Sequence, residues 1–229
     1  MAEQGEFKQI VTVDGPSGSG KGSLCQLLAK ELGWHLLDSG ALYRIVGLAA
    51  QQQGVSFDDE VALTQLAAHL NVEFKPGPPG EPAAVLLDGQ DISRQVRAET
   101  SGALASKVAV YNGVRDALLA LQQSFAKAPG LVADGRDMGT VVFPHAPTKI
   151  YLTASAEERA SRRYKQLKEA GQSVTLAALL EDIQARDDRD MNREVAPLKP
   201  AVDAVVIDSS VMGIKDVYNQ VMIEINKSL

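Results

Sequence analysis

Cysteine is nearly absent: Cys25 is the only one in 229 residues. A single thiol closes no internal disulfide and builds no multi-cysteine metal site, so a reducing, cytoplasmic setting is the natural reading. No apolar run approaches the ~18 residues of a membrane span. The opening MAEQGEFKQI lacks a basic segment followed by an apolar one, so no signal peptide and no membrane association are expected. A basic excess is also missing, since 23 lysines and arginines face 29 aspartates and glutamates for a net charge of −6. That balance counts against nucleic acid as a partner. The three histidines, His35, His69 and His145, share no metal-like spacing. What is present is an ordinary globular composition, 45% hydrophobic and 23% charged, which excludes disordered, fibrous and collagenous chains. At roughly 150 residues per domain, the length suits one large domain or one carrying a small insert.

Five short apolar runs end in polar or glycine-bearing turns: 10–13, 35–37, 131–133, 149–152 and 204–207. Most are followed by helical patterns. Such alternation predicts an α/β domain around a parallel sheet whose strands are buried on both faces. Ligands bind beyond the carboxyl ends of strands in such sheets, which is where Gly15, Asp38, Asp134 and Ser155 stand. One segment breaks the pattern. Runs at 71–75 and 84–87, a Pro/Gly loop over 76–82, and Asp88-Gly89 before 90–92 predict a small antiparallel unit with a hairpin turn. An inserted subdomain is placed over 45–105.

Six of the eleven arginines, Arg159, Arg162, Arg163, Arg186, Arg189 and Arg193, crowd into one stretch. They suit either a phosphate-handling site or a solvated helix face. Ser155-Ala156-Glu157-Glu158 has the form of a capping box, predicting a helix from there to about Gly171. A second helix starts near Thr175, and its stripe passes from Leu176, Leu179 and Ile183 to Arg186, Asp190 and Arg193. Its charged end either enters solvent or lines a site.

Gly15-Pro16-Ser17-Gly18-Ser19-Gly20-Lys21 matches G-x-x-x-x-G-K directly after a predicted strand and before a helical pattern. Glycines let successive N–H groups curl around an anion, the next helix adds its positive end, and a lysine reaches the β- and γ-phosphates. The residue after Lys21 is Gly22, where most such loops carry Ser or Thr for magnesium, and Ser23 follows one place later. No Asn-Lys-x-Asp guanine-reading motif occurs. The pattern resembles nucleoside monophosphate kinases rather than GTPases or motor ATPases.

The runs GPSGSGKGSLC, HLLDSGALYR, ADGRDMGTVVFP and RDDRDMNREVAPL closely resemble bacterial cytidylate kinases, which phosphorylate CMP and dCMP with ATP. The resemblance spans almost the whole chain. It implies a P-loop kinase core with a five-stranded parallel sheet flanked by helices, an inserted antiparallel β/α subdomain and a helical lid. The core is expected at 1–44, 106–159 and 193–229, the acceptor-binding insert at 45–105 and the lid at 160–192. The loop from Gly15 to Ser23 would take ATP. Ser39 and Arg44 would hold the acceptor nucleotide and its phosphate, and Arg136 would be a phosphate ligand. Ser106 and Arg115, with Asp137, would recognise cytosine. Arg186 and Asp190 would contact sugar and phosphate, and Arg193 would bridge the two phosphates.

The chemistry is compatible with these roles. Cytosine presents an amino donor beside ring acceptors, which suits a carboxylate, an arginine and a hydroxyl. A nucleotide's phosphate has a second pKa of about 6, so its oxygen is already anionic at neutral pH and no general base is required. Lys21, Mg²⁺, Arg136 and Arg193 would surround the transferring group, with Asp134 and Ser23 supporting the metal. A closing lid would exclude water. Two other readings stand beside this one. One is a P-loop kinase for another acceptor such as UMP. The other is a non-catalytic nucleotide sensor or a nucleic-acid-associated ATPase. Without a prominent apolar stripe, a monomer is expected. Cys25 reads as a small buried residue, and Tyr43, Tyr111 and Trp34 as packing residues.

Overall fold

The computed structural model describes residues 9–78, 81, 83–169 and 171–228. Pro79, Gly80 and Pro82 of the predicted loop lie outside the described residues. The central strand β1 (Ile10–Asp14) is buried along its whole length. It pairs in parallel with β6 (Leu131–Gly135) and β7 (Thr148–Thr153). β2 (His35–Asp38) lies outside β6, and β8 (Val205–Asp208) lies outside β7, giving the order β2-β6-β1-β7-β8. All five runs read from the sequence are therefore neighbours in one parallel sheet. Their carboxyl ends bring Asp14, Asp38, Asp134, Thr153 and Asp208 to one edge.

Helix α1 (Lys21–Leu32) packs on this sheet because Leu24, Cys25, Leu28 and Ala29 fall on one face, all buried. Across the fold, Leu37, Leu42, Ile45, Leu118, Leu131, Ile150 and Leu152 are fully buried, each burial worth about 2 kcal/mol. Helix α2 (Ser39–Gln53) begins at β2's end, with the Asp38 carboxylate accepting from the Ala41 N–H at 2.9 Å. That cap orients Ser39, Tyr43 and Arg44 on the first turns.

Beyond α3 (Glu60–Ala68), β3 (Val72–Lys75), β4 (Ala84–Leu87) and β5 (Gln90–Asp91) form a separate antiparallel sheet. Asp88 and Gly89 have φ of 50° and 78°, the geometry of a two-residue hairpin turn. Helices α4 (Ser93–Arg97) and α5 (Glu99–Val108) lead back to the core. Residue 45 lies within α2 and residue 105 within α5, so both limits placed on the insert from the sequence fall inside helices. Helix α6 (Asn112–Gln123) precedes β6.

Helices α7 (Ala156–Glu169) and α8 (Leu176–Asn192) form a hairpin, with Gly171 at φ 74° in its turn, and α9 (Ile214–Ser228) closes the fold. Half of the capping box forms. The Ser155 hydroxyl accepts from the Glu158 N–H at 3.1 Å, but the Glu158 carboxylate accepts from Arg162 Nε at 2.9 Å instead of turning back. The Ser155 N–H donates to Ser210 Oγ at 2.9 Å, so a residue beyond β8 replaces the expected partner. No helix among the described residues is long and apolar enough to cross a membrane.

Candidate active site

Gly15 turns the chain out of β1 with φ 147°, and a Cβ there would stand 2.0 Å from the Leu152 carbonyl oxygen. Only glycine fits this close approach. The loop then curls over the start of α1, and Lys21 folds back across it, with Nζ donating to the Pro16 carbonyl at 2.8 Å. Residues Ser17 to Ser23 line a cavity of about 820 Å³, together with Asp38, Asp134 and Arg136. Met212, Ile214 and Val217 add apolar lining to the same cavity. Nothing in the sequence pattern singled those three out.

Asp134 faces the loop. Withdrawal from water raises its pKa to about 7; Lys21 opposes this and the neighbouring Asp38 adds to it. Burial also lowers the Lys21 pKa, against the support of Asp134. A Cβ on Gly22 would stand 3.6 Å from Asp134 Oδ2, and Ser23 lines the same cavity. Among the described residues, no cluster of three or more His, Cys, Asp or Glu could hold a metal ion alone. Under-compensated carboxylates beside a phosphate loop fit a magnesium ion shared with a nucleotide, which takes one or two carboxylates plus phosphate oxygens.

A second cavity of about 500 Å³ is lined by Ser39, Arg44, Ser106, Arg115, Arg136, Asp137, Arg186, Asp190 and Arg193. Every acceptor-side residue nominated from the sequence stands there. Arg115 Nη2 donates to Asp137 Oδ2 at 2.7 Å. Arg193 Nη2 is 3.8 Å from the same carboxylate oxygen, is buried and has no hydrogen-bond partner. Ser106 Oγ meets the Gly102 carbonyl at 3.2 Å. Arg136 Nε donates to Asp190, and Arg44 Nη1 to the Val96 carbonyl at 2.9 Å and Ser101 Oγ at 3.1 Å.

The two cavities meet along Gly40, Arg44, Gly135, Arg136 and Arg186, which line both. Burial pushes the Arg186 pKa down to about 10, and the positive charges of Arg136 and Arg44 push the same way against Asp190. Like charges held together in a cleft make an anion site. The charged end of α8 therefore faces the cleft, which settles the direction its sequence stripe left open.

Several residues escaped the sequence reading. Asp14 accepts from the N–H groups of Met138 and Gly139, both at 2.8 Å, which fixes the wide turn Met138–Val142 behind Arg136 and Asp137. Its pKa rises to about 6 through burial, against those two N–H groups. Tyr43, expected only to pack, also lines the acceptor cavity, with the Arg115 guanidinium 5.9 Å from its ring centroid. Arg162, already counted in the arginine stretch, donates through Nη2 to the Ser209 carbonyl at 2.6 Å beside the phosphate loop. Cys25 is fully buried. His35 and His69 each meet a backbone carbonyl, of Ala128 at 2.9 Å and Gln65 at 2.8 Å.

The family model described as cytidylate kinase matches residues 11–227. The chain is 56% identical over 216 residues to a cytidylate kinase of Pseudomonas putida, covering 94% of this chain and 95% of that one. It is 58% identical over 212 residues to the cytidylate kinase of Aeromonas hydrophila, covering 93% and 91%. To that of Photobacterium profundum it is 57% identical over 220 residues, covering 96% of each. An uncharacterised protein from Eubacterium ventriosum shares the fold, with a TM-score of 0.51 at 10% identity, covering 96% of this chain and 99% of that one. With the phosphate loop, the arginine-lined junction and these relatives in hand, the chain belongs to the cytidylate kinase family.

Proposed function

We propose that this kinase transfers the γ-phosphoryl group of ATP to CMP and dCMP, yielding ADP with CDP or dCDP. The observation that carries the reading is the arginine cluster of Arg44, Arg136 and Arg186 at the junction of the two cavities, facing the Lys21 loop. ATP lies over Gly15 to Ser23, with its terminal phosphate beside Lys21. The acceptor lies in the second cavity, its phosphate held by Arg44, Arg136 and Arg186, with Ser39 beside it. Asp137, oriented by Arg115, accepts from the cytosine amino group, and Ser106 stands close by. Asp190 holds the sugar.

An acceptor phosphate oxygen forms the new bond to the γ-phosphorus as the bond to the β–γ bridging oxygen breaks, and the electron pair leaves with ADP. No base removes a proton, because the attacking oxygen is already anionic. Lys21, Arg136 and Arg193 neutralise charge on the group in flight. Mg²⁺, when bound, supplies further neutralisation of the ATP phosphates, and Asp134 and Ser23 are the residues that would hold it.

The hairpin of 160–192 serves as a lid that keeps water from the γ-phosphate, and 45–105 as the acceptor subdomain. We further propose a cytoplasmic monomer with no nucleic-acid or membrane partner, in keeping with a lone buried cysteine and the net charge of −6. Supplying γ-labelled ATP with CMP tests the chemistry. Label recovered in CDP supports it. Label released only as inorganic phosphate at a CMP-independent rate contradicts it.

A further inference from the structure

Arg159 sits in the first turns of α7 and is 3% exposed. Its Nε donates to the Ala154 carbonyl at 2.9 Å, and its Nη1 to the Ser17 carbonyl at 3.0 Å and to Asp187 Oδ1 at 3.0 Å, while Nη2 donates to Asp187 Oδ2. One guanidinium thus joins the end of β7, the middle of the phosphate loop and α8. The loop rests directly on this side chain, since a Cβ on Gly18 (φ 79°) would stand 3.3 Å from Arg159 Cβ. Asp187 is the one buried residue of α8. Pinning it sets the rotation of a helix that is otherwise exposed or half-buried, and residues 186, 190 and 193 lie together on an adjoining face. The Asp187 contact therefore helps aim Arg186 and Asp190 into the acceptor cavity.

We propose that Arg159 is a positioning residue that holds the phosphate loop and α8 as one unit, coupling the seating of ATP to that of the acceptor. The proposal rests on the reading of Arg186 and Asp190 as acceptor ligands. It also confines lid motion.

Replacing a buried ion pair by apolar residues of similar size often preserves stability, whereas removing one partner strands a charge. The double variant Arg159→Met/Asp187→Leu therefore removes the link with little damage to packing, and Asp187→Asn weakens it while keeping shape. The readout is the ratio of ATP Kd values without and with CMP, alongside kcat, both KM values and Tm. Wild type is expected to show a ratio well above one, because seating one nucleotide already orders the loop and α8 for the other. Both variants are expected to bring the ratio towards one, raise both KM values and lower kcat by about tenfold or more, and the double variant's Tm is expected to fall because the Ala154 and Ser17 carbonyls lose their donor. Unchanged ratio, kcat and KM values in either variant, whatever its Tm, would reduce the pair to a structural tie and overturn the proposal. So would a wild-type ratio of one. Should the double variant fail to fold, Asp187→Asn decides by the same ratio. Arg186→Ala is measured in parallel: an unchanged KM for CMP there refutes the acceptor reading separately, and the ATP–CMP ratio still judges the link.

Discussion

Arg115 and Asp137 stand 2.7 Å apart with each side chain 9% exposed, on α6 and just beyond β6 respectively. A buried pair of this kind holds the carboxylate in one orientation, and the Tyr43 ring beneath Arg115 closes the other side. Asp137 keeps lone pairs for a donor, so a base with an exocyclic amino group is favoured over one presenting a carbonyl. Asp137→Asn should raise the KM for CMP by about tenfold or more, since a well-made base contact is worth roughly 1–3 kcal/mol. It should also narrow the CMP-to-UMP preference, because an amide can donate to a carbonyl. Steady-state kinetics with both acceptors check this; an unchanged preference would remove Asp137 from base reading.

Arg186 is held among like charges, with Arg136 and Arg44 both depressing its pKa. Truncating it relieves repulsion in the empty enzyme but removes a ligand of the phosphates. Arg186→Ala and Arg193→Ala should each lower turnover by about a hundredfold, the usual cost of one oriented donor to a developing anion. Thermal melts of the unliganded Arg186 variant should stay level or rise. Wild-type turnover in Arg186→Ala would contradict the assignment of the arginine-bearing lid, and in Arg193→Ala it would contradict the role of Arg193 on the transferring group.

The two strand-end carboxylates give the unliganded enzyme a defined pH response. Asp14 and Asp134 titrate at about 6 and about 7 when folded, against 3.8 for the ordinary group. The folded state therefore binds more protons between pH 4 and 7, and stability falls as pH rises through that window. For Asp14 the change is on the order of 3 kcal/mol, at about 1.4 kcal/mol per pKa unit. Melting temperature should drop from pH 5 to 7.5, and the slope should be shallower in Asp134→Asn. Stabilisation by Mg²⁺ with ATP should grow over the same range, because a cation near Asp134 favours its ionised form. A melting temperature that climbs from pH 5 to 7.5 in both proteins would show that these carboxylates do not govern the response.

Gly15→Ala tests the loop's seating. The new methyl would occupy the position 2.0 Å from the Leu152 carbonyl, so the backbone must move, at a cost of about 1–3 kcal/mol in strain. Calorimetric titration should show ATP affinity lost while CMP still binds the adjoining second cavity, whose base end lies away from Gly15. Retained ATP affinity would mean that the loop tolerates a different path.

Much of this was legible in the sequence because it is local. Glycine spacing, the Asp88-Gly89 turn and the apolar strands each carry their cause within a few neighbouring residues. The arrangement of Arg44, Arg136 and Arg186 at one junction was readable only through the family resemblance, since no local pattern joins residues 44, 136 and 186. Arg159 was counted in the arginine cluster, yet its partner lies 28 residues away and its bond to Ser17 spans 142. Asp14 follows the apolar run 10–13, and its two bonds to Met138 and Gly139 depend on β1 and β6 lying side by side. The box at Ser155 failed on its Glu158 half because Arg162, one helical turn on, is a stronger partner for a carboxylate than a backbone N–H.

The most direct test is initial-rate ADP release from ATP and Mg²⁺ with CMP, dCMP, UMP, AMP and GMP each supplied as acceptor. Fast release with CMP and dCMP, and slow release with the other three, is the expected result. Equal rates with UMP would leave the phosphoryl transfer standing but contradict base reading by Asp137, Arg115 and Ser106, and release independent of any acceptor would contradict the kinase reaction itself.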